Sequence, residues 1–267
     1  MQYHSSSRSA TLPSNRTTDQ STSQRSHQWV SKVLSQAVQF WLKSQVEWVD
    51  NLRVIIEGKN RSILSGTLSR VEVSANQAIY QGIHLSQAQA IGSEIQLNLS
   101  QVLRGQPLRL TQRFPVCCSA YLSTEDLNAS IQSSTLQQGL QDVLETLLRC
   151  SNWQPEVGRT QIQQLDLRLF YPTQMILGNG QITLIGQIDG SRGRHGSTDL
   201  RVALTTDLTL VGTNQLQLQQ VQLQGVPNLP TLTLEKFSID LGSDVNIQTF
   251  NLTPDQLGLQ GQIWVNP

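Results

Sequence analysis

From Asn51 onward apolar and polar residues alternate with a period of two, and no other feature constrains the fold as much. Leu52, Val54 and Ile56 alternate first. Val71 and Val73 follow, then the run from Ile79 to Leu85, then Ile95, Leu97 and Leu99. Gly58, Gly66, Gly82, Gly92 and Gly105 punctuate these runs. The spacing predicts a meander of antiparallel strands joined by short turns. The same period returns at Leu165, Leu167 and Leu169, at Leu200, Val202 and Leu204, and on to Ile263 and Val265. Leu216 and Leu218 keep one parity, whereas Val221 and Leu223 take the other. That slip predicts a β-bulge near Gln219 and Gln220.

Two segments break the alternation. Gln28 to Asp50 carries apolar residues at positions 30, 33, 34, 37, 38, 41, 42, 46 and 49, with no Gly or Pro inside. This is a broad helical stripe, and some 20 residues make a helix about 30 Å long. It holds Trp29, Trp41 and Trp48. The second helical segment runs from about 124 to 150, as one broken helix or two short ones. Ser123 is placed as an N-cap with Asp126 three residues on, and a second start falls at Ser134 with Gln137 at the box position.

About ten strands therefore carry Leu, Ile or Val on one face and Gln, Thr, Ser or Asn on the other, the pattern of sheets wet on one side only. This explains the composition. Charged residues are only 14% of the 267, with 19 of each sign and a formal net charge of +0. Gln supplies much of the polarity, at roughly one residue in seven. No basic excess exists to neutralise phosphates, so no nucleic-acid partner is expected. Residues 1 to 28 are rich in Ser, Thr, Arg and Gln and nearly free of large apolar side chains, so a disordered tail is expected there. Residues 29 to 267 read as a single domain.

The apolar faces need a cover, and the long helix is the economical one. The expected fold class is α+β: a long, strongly curved antiparallel sheet wrapped around a long N-terminal helix, with a second helical segment in the middle of the chain. A sheet rolled around a helix leaves an elongated groove lined by branched aliphatics, which suits flexible acyl chains. Val33, Ala37, Phe40, Trp41 and Trp48 are the helix candidates for its lining or rim. The competing reading is that these stripes fill an ordinary core, as most do, in a structural or adaptor protein that binds a protein partner.

Little else carries chemistry. His4 and His27 sit in the tail, and His84 alternates within a strand. Asp189 to Gly196 is turn material in which Arg192, Arg194 and His195 are candidates to meet anionic headgroups at a membrane surface. The chain has no GxSxG, no HExxH and no EF-hand loop. No metal, no cofactor and no enzyme activity is expected. Cys117 and Cys118 are adjacent and read as buried small hydrophobes; with Cys150 they make an odd count without framework spacing, which points to a reducing compartment. No apolar stretch is long enough to span a bilayer and no secretory h-region is seen. The expected setting is cytoplasmic, or peripheral on the reducing side of a membrane. With so little net charge, any docking there would depend on local Arg and Trp contacts.

Several stretches carry a family resemblance. They are a helix running into Leu52-Arg-Val-Ile-Ile-Glu-Gly, then Ile63-Leu-Ser-Gly-Thr-Leu-Ser-Arg-Val-Glu-Val-Ser-Ala, then Leu122-Ser-Thr-Glu-Asp-Leu-Asn. Leu241-Gly-Ser-Asp-Val-Asn-Ile and Leu257-Gly-Leu-Gln-Gly-Gln-Ile close the set. Together they resemble the bacterial LmeA-like phospholipid-binding family over roughly residues 29 to 267. The resemblance implies a non-enzymatic phospholipid-binding role in membrane lipid homeostasis or transfer. It also implies a fold similar to tubular lipid-binding modules.

Overall fold

Among the described residues alternation builds strands at nearly every place it occurs; the run Leu165, Leu167 and Leu169 lies outside them. The computed structural model describes residues 39, 43, 46–98, 101, 105–107, 109–149, 152–154, 170–188, 200–226 and 230–267. Its first strand, β1, is Trp48–Glu57, followed by a single helical turn, α1, at Asn60–Leu64. Next come β2 (Thr67–Tyr80), β3 (Ile83–Gln96) and β4 (Phe114–Ser123). Two helices follow: α2 at Thr124–Ser130 and α3 at Ser134–Leu148. A second meander comprises β5 (Phe170–Leu177), β6 (Gln181–Ile188), β7 (Leu200–Val211), β8 (Gln215–Gln224) and β9 (Leu232–Asp240). The chain closes with β10 (Val245–Leu252) and β11 (Gln256–Val265).

These strands form two antiparallel sheets. One has the order β1-β2-β3-β4-β11-β10, the other β5-β6-β7-β8-β9. The last hairpin therefore returns to the first sheet, with β11 beside β4.

This corrects the expected fold class. The protein is mostly β, built on two sheets rather than one continuous sheet, and the helices among the described residues are short. The segment expected to be a long N-terminal helix contributes only Gln39 and Lys43, both with helical backbone, before residue 46. Its expected last turn is strand instead. Trp48 lies opposite Ile79 and Val49 opposite Ala78 in the β1–β2 ladder. Aromatic and β-branched residues with partners across a pleat gain more there than in an exposed helix end. A register shift between Asp50 and Arg53, with Asn51 at a φ of 50°, joins this start to the alternating run.

The cover of the five-stranded sheet is the middle helical segment. Leu127, Ile131, Leu144 and Leu147 pack into one cluster with Met175, Leu184, Val202, Val221 and Leu232. Trp153 is completely buried in it and donates its indole N–H to Leu147 O at 3.1 Å. Ser123 caps α2 through a reciprocal box with Asp126, while α3 starts from Ser133, one residue before the expected Ser134. A smaller cluster, of Ile56, Ile63, Leu68, Ile95 and Phe114, lies under α1.

The sheets meet through a few directed contacts. Asn128 of α2 holds the edge strand β5 with both ends of its amide: Nδ2 donates to Met175 O and Oδ1 accepts the Met175 N–H, each at 2.8 Å. On the other side Gly180 N–H donates to Leu252 O at 3.0 Å and Ile247 N–H to Thr213 O at 2.6 Å. The bulge expected near Gln219 and Gln220 is present. Thr205 faces Gln222 while Asp207 faces Gln219, and Gln220 has a φ of 49°.

Candidate functional site

The six-stranded sheet carries its apolar side chains in rows that run across all or most of its strands. One row is Val54, Val73, Ala90, Cys118, Gly261 and Ile247, each opposite the next. A second is Ala75, Ala88, Ala120, Leu259 and Phe250. A third, nearer α1, is Ile56, Val71, Gly92, Val116, Ile263 and Val245. Residues paired this way share one face of the pleat. The first two rows are small on the central strands, at Ala88, Ala90, Cys118, Ala120 and Gly261, and the third is small at Gly92. Together they form one apolar band across the sheet, hereafter the trough.

Two glycines in the trough are fixed by packing. A Cβ at Gly261 would stand 2.5 Å from Asn246 O and 2.9 Å from Ile247 Cα, so β10 approaches β11 too closely for any side chain. A Cβ at Gly92 would stand 2.9 Å from both Ile95 and Phe114. The trough is covered at both ends. Ala120 and Phe250 pack against the larger cluster, and Ile56, Val54, Val71 and Val116 belong to or pack against the smaller one, whereas Val73, Ala90, Cys118 and Ile247 between them are partly exposed and belong to neither.

The electrostatics of this face are quiet. Burial pushes the Cys118 thiol up, and the adjacent Cys117 pushes it further, so it stays protonated at neutral pH and acts as a small apolar group. Cys117 points to the other face and is exposed, which corrects its expected burial. That other face is polar. There Gln89, Ile91, Cys117, Ser119, Gln248 and Gln260, with the backbone at Cys118 and Gly261, border an open depression of about 250 Å³.

One polar cluster sits at the start of α2. Ser86 Oγ donates to the Asp126 carboxylate, which also accepts the Ser123 N–H at 2.9 Å. Burial alone would raise the Asp126 carboxyl; the Ser86 and Ser123 hydrogen bonds, with His84 nearby, outweigh it and hold the carboxyl below its ordinary value. The His84 N–H donates to Ser130 Oγ at 2.8 Å. Every one of these bonds ties α2 to β3 or completes its cap, so the cluster is a joint. Among the described residues no group of three or more His, Cys, Asp or Glu is placed to hold a metal. Nor is any helix long and apolar enough to cross a membrane.

The residues expected to line the site fare unequally. Trp48 lies in β1, 49% exposed, at the end of the sheet away from α1 and off the apolar rows. Val33, Ala37, Phe40 and Trp41 lie outside the described residues, as do Arg192, Arg194 and His195. Sequence reading missed the trough itself. Its central members are Ala, Gly and Cys, which give little hydrophobic signal. The signal was present in Gln87-Ala-Gln-Ala, where Ala88 and Ala90 alternate with amides, and in Cys118 and Ala120 at matching parity.

The fold and this surface define a two-sheet antiparallel protein whose most distinctive feature is an apolar sheet face. A family model described as LmeA-like phospholipid-binding matches residues 26–262, and the chain belongs to that family. None of the curated proteins and none of the solved structures compared with the chain matches it.

Proposed function

We propose that the protein is a non-enzymatic carrier of phospholipid that holds acyl chains against the apolar trough of the six-stranded sheet. Family membership supports a phospholipid ligand. The observation that supports the location is the row of Val73, Ala90, Cys118 and Ile247, apolar side chains on one face of the sheet that all stay partly exposed. Acyl chains are flexible and lack polar groups, so a shallow aliphatic surface suits them, and each methylene removed from water is worth about 0.8 kcal/mol. The carrier role would serve membrane lipid homeostasis or transfer.

The test places a bulky side chain on the trough and a matched one on the opposite face. Ala90→Trp fills the space where chains would lie; Gln89→Trp adds the same indole to the polar face. Uptake of phospholipid from vesicles is expected to fall about tenfold in Ala90→Trp, equivalent to about 1.4 kcal/mol, and to hold in Gln89→Trp. Equal uptake by a folded Ala90→Trp variant would move the ligand elsewhere.

A further inference from the structure

We infer that the end of the six-stranded sheet bearing α1 is the part of the molecule that docks on an anionic bilayer surface, an inference that rests on the phospholipid reading above. Antiparallel pairing gathers one set of termini there: the end of β1, the start of β2, and the ends of β3 and β11 with the starts of β4 and β10. Leu97 joins them, since its N–H donates to Gly66 O at 2.8 Å, and Asn98 N–H donates to Arg109 O at 3.1 Å. Large apolar side chains face water at this end. Leu64 is 66% exposed, Ile263 40% and Trp264 37%. The Arg113 guanidinium lies 4.3 Å over the Trp264 ring. Trp and Arg side by side are the chemistry of a membrane interface, where an apolar ring sits below a charged head.

Charge separates this end from the other. Lys59, Arg61, Arg109 and Arg113 are all exposed here. Their local carboxylates are Glu57, Glu94 and Asp244, of which Asp244 is already engaged with Arg113 at 3.6 Å. The opposite end also exposes aromatics, Trp48 and Tyr80, but among the exposed carboxylates of Glu47, Asp50, Glu125 and Asp255. An anionic surface attracts the first end and repels the second.

The docking end is continuous with the trough. Ile263 belongs to the apolar row nearest α1, whereas Trp264, next on β11, projects from the opposite face. Ile63 of α1 packs over the β1–β3 side of that end. On the β11 side Ile263 stays exposed, so an acyl chain leaving the bilayer at this end meets the apolar face through Ile263, while Trp264 and Arg113 hold the surface from the other face.

The experiment is flotation with vesicles of phosphatidylcholine and phosphatidylglycerol, and with phosphatidylcholine alone. The wild type is expected to float with the anionic vesicles. Leu64→Ser combined with Trp264→Ala is expected to bind about tenfold more weakly. Leu64→Ser alone, at a side chain too exposed to matter for folding, is expected to show part of that loss. Trp48→Ala with Tyr80→Ser at the opposite end, and Arg192→Ala with Arg194→Ala in the 189–196 segment, are expected to float as the wild type does. Unchanged flotation of the Leu64/Trp264 variant, loss confined to either of the other pairs, or a wild type that ignores anionic vesicles would overturn the docking end. Native mass spectrometry of the same samples keeps the two ideas apart. A Leu64/Trp264 variant that no longer floats yet still carries phospholipid supports docking here. A wild type that floats but never carries lipid refutes the carrier reading alone.

Discussion

Asp126 shows how one side chain ties local to tertiary structure. Its carboxylate completes the cap of α2 and accepts the Ser86 hydroxyl from β3. Asp126→Asn is expected to cost about 1 kcal/mol at neutral pH, as loss of a charged capping partner does. The cost should depend on pH in one direction. The native carboxyl is held below its ordinary value, so its stabilisation is complete above the unfolded value near ~4 and disappears as pH falls through the native one. Denaturant titrations of both proteins from neutral pH downward should therefore show the gap narrowing as pH falls below the ordinary carboxylate range. A gap that does not narrow at all as the pH is lowered until the native protein unfolds would show that the carboxylate charge is not what the site uses. The pairing of Ser123 with Asp126 was legible in the sequence because it is local. The Ser86 bond was not, since 40 residues separate its partners.

At the scale of elements, alternation located strands reliably wherever the two faces meet different surroundings. The parity slip at Gln219–Gln220 even marked the bulge in β8. At Trp48–Asp50 an apolar stripe spaced for a helix continues into residues that pair as a strand. Helical and strand periods coincide over three residues, and only the partner at Ile79 decides between them. The choice of cover also lay beyond the sequence. Which helix packs on which sheet depends on long-range contacts such as Asn128 with Met175. Asn128→Ala removes both of those bonds and leaves an edge-strand amide without its partner. It is expected to destabilise the protein by about 1–3 kcal/mol and to raise hydrogen exchange at Met175 before other amides of β5. Uniform loss of protection across both sheets would show instead that α2 and β5 do not form a separable joint.

The whole molecule divides its work between its sheets. The five-stranded sheet buries one face under α2 and α3 and supplies most of the solid core. The six-stranded sheet packs into that core at one end, through Leu122, Ala120, Phe250 and Leu252, and into a small cluster at α1 at the other, with a partly exposed apolar band between. This division explains the low charge content. Two sheets present long faces of Gln and Thr to water, and amides and hydroxyls there suffice for solubility. Membership of the phospholipid-binding family was legible in the sequence as a resemblance, whereas the trough was hidden because Ala, Gly and Cys at its centre give little hydrophobic signal. Native mass spectrometry of the purified protein tests the central claim most directly. The expected spectrum shows phospholipid bound to the folded chain, displaced in the Ala90→Trp variant. Recovery of lipid-free protein alone, with no uptake after incubation with vesicles, would contradict the account.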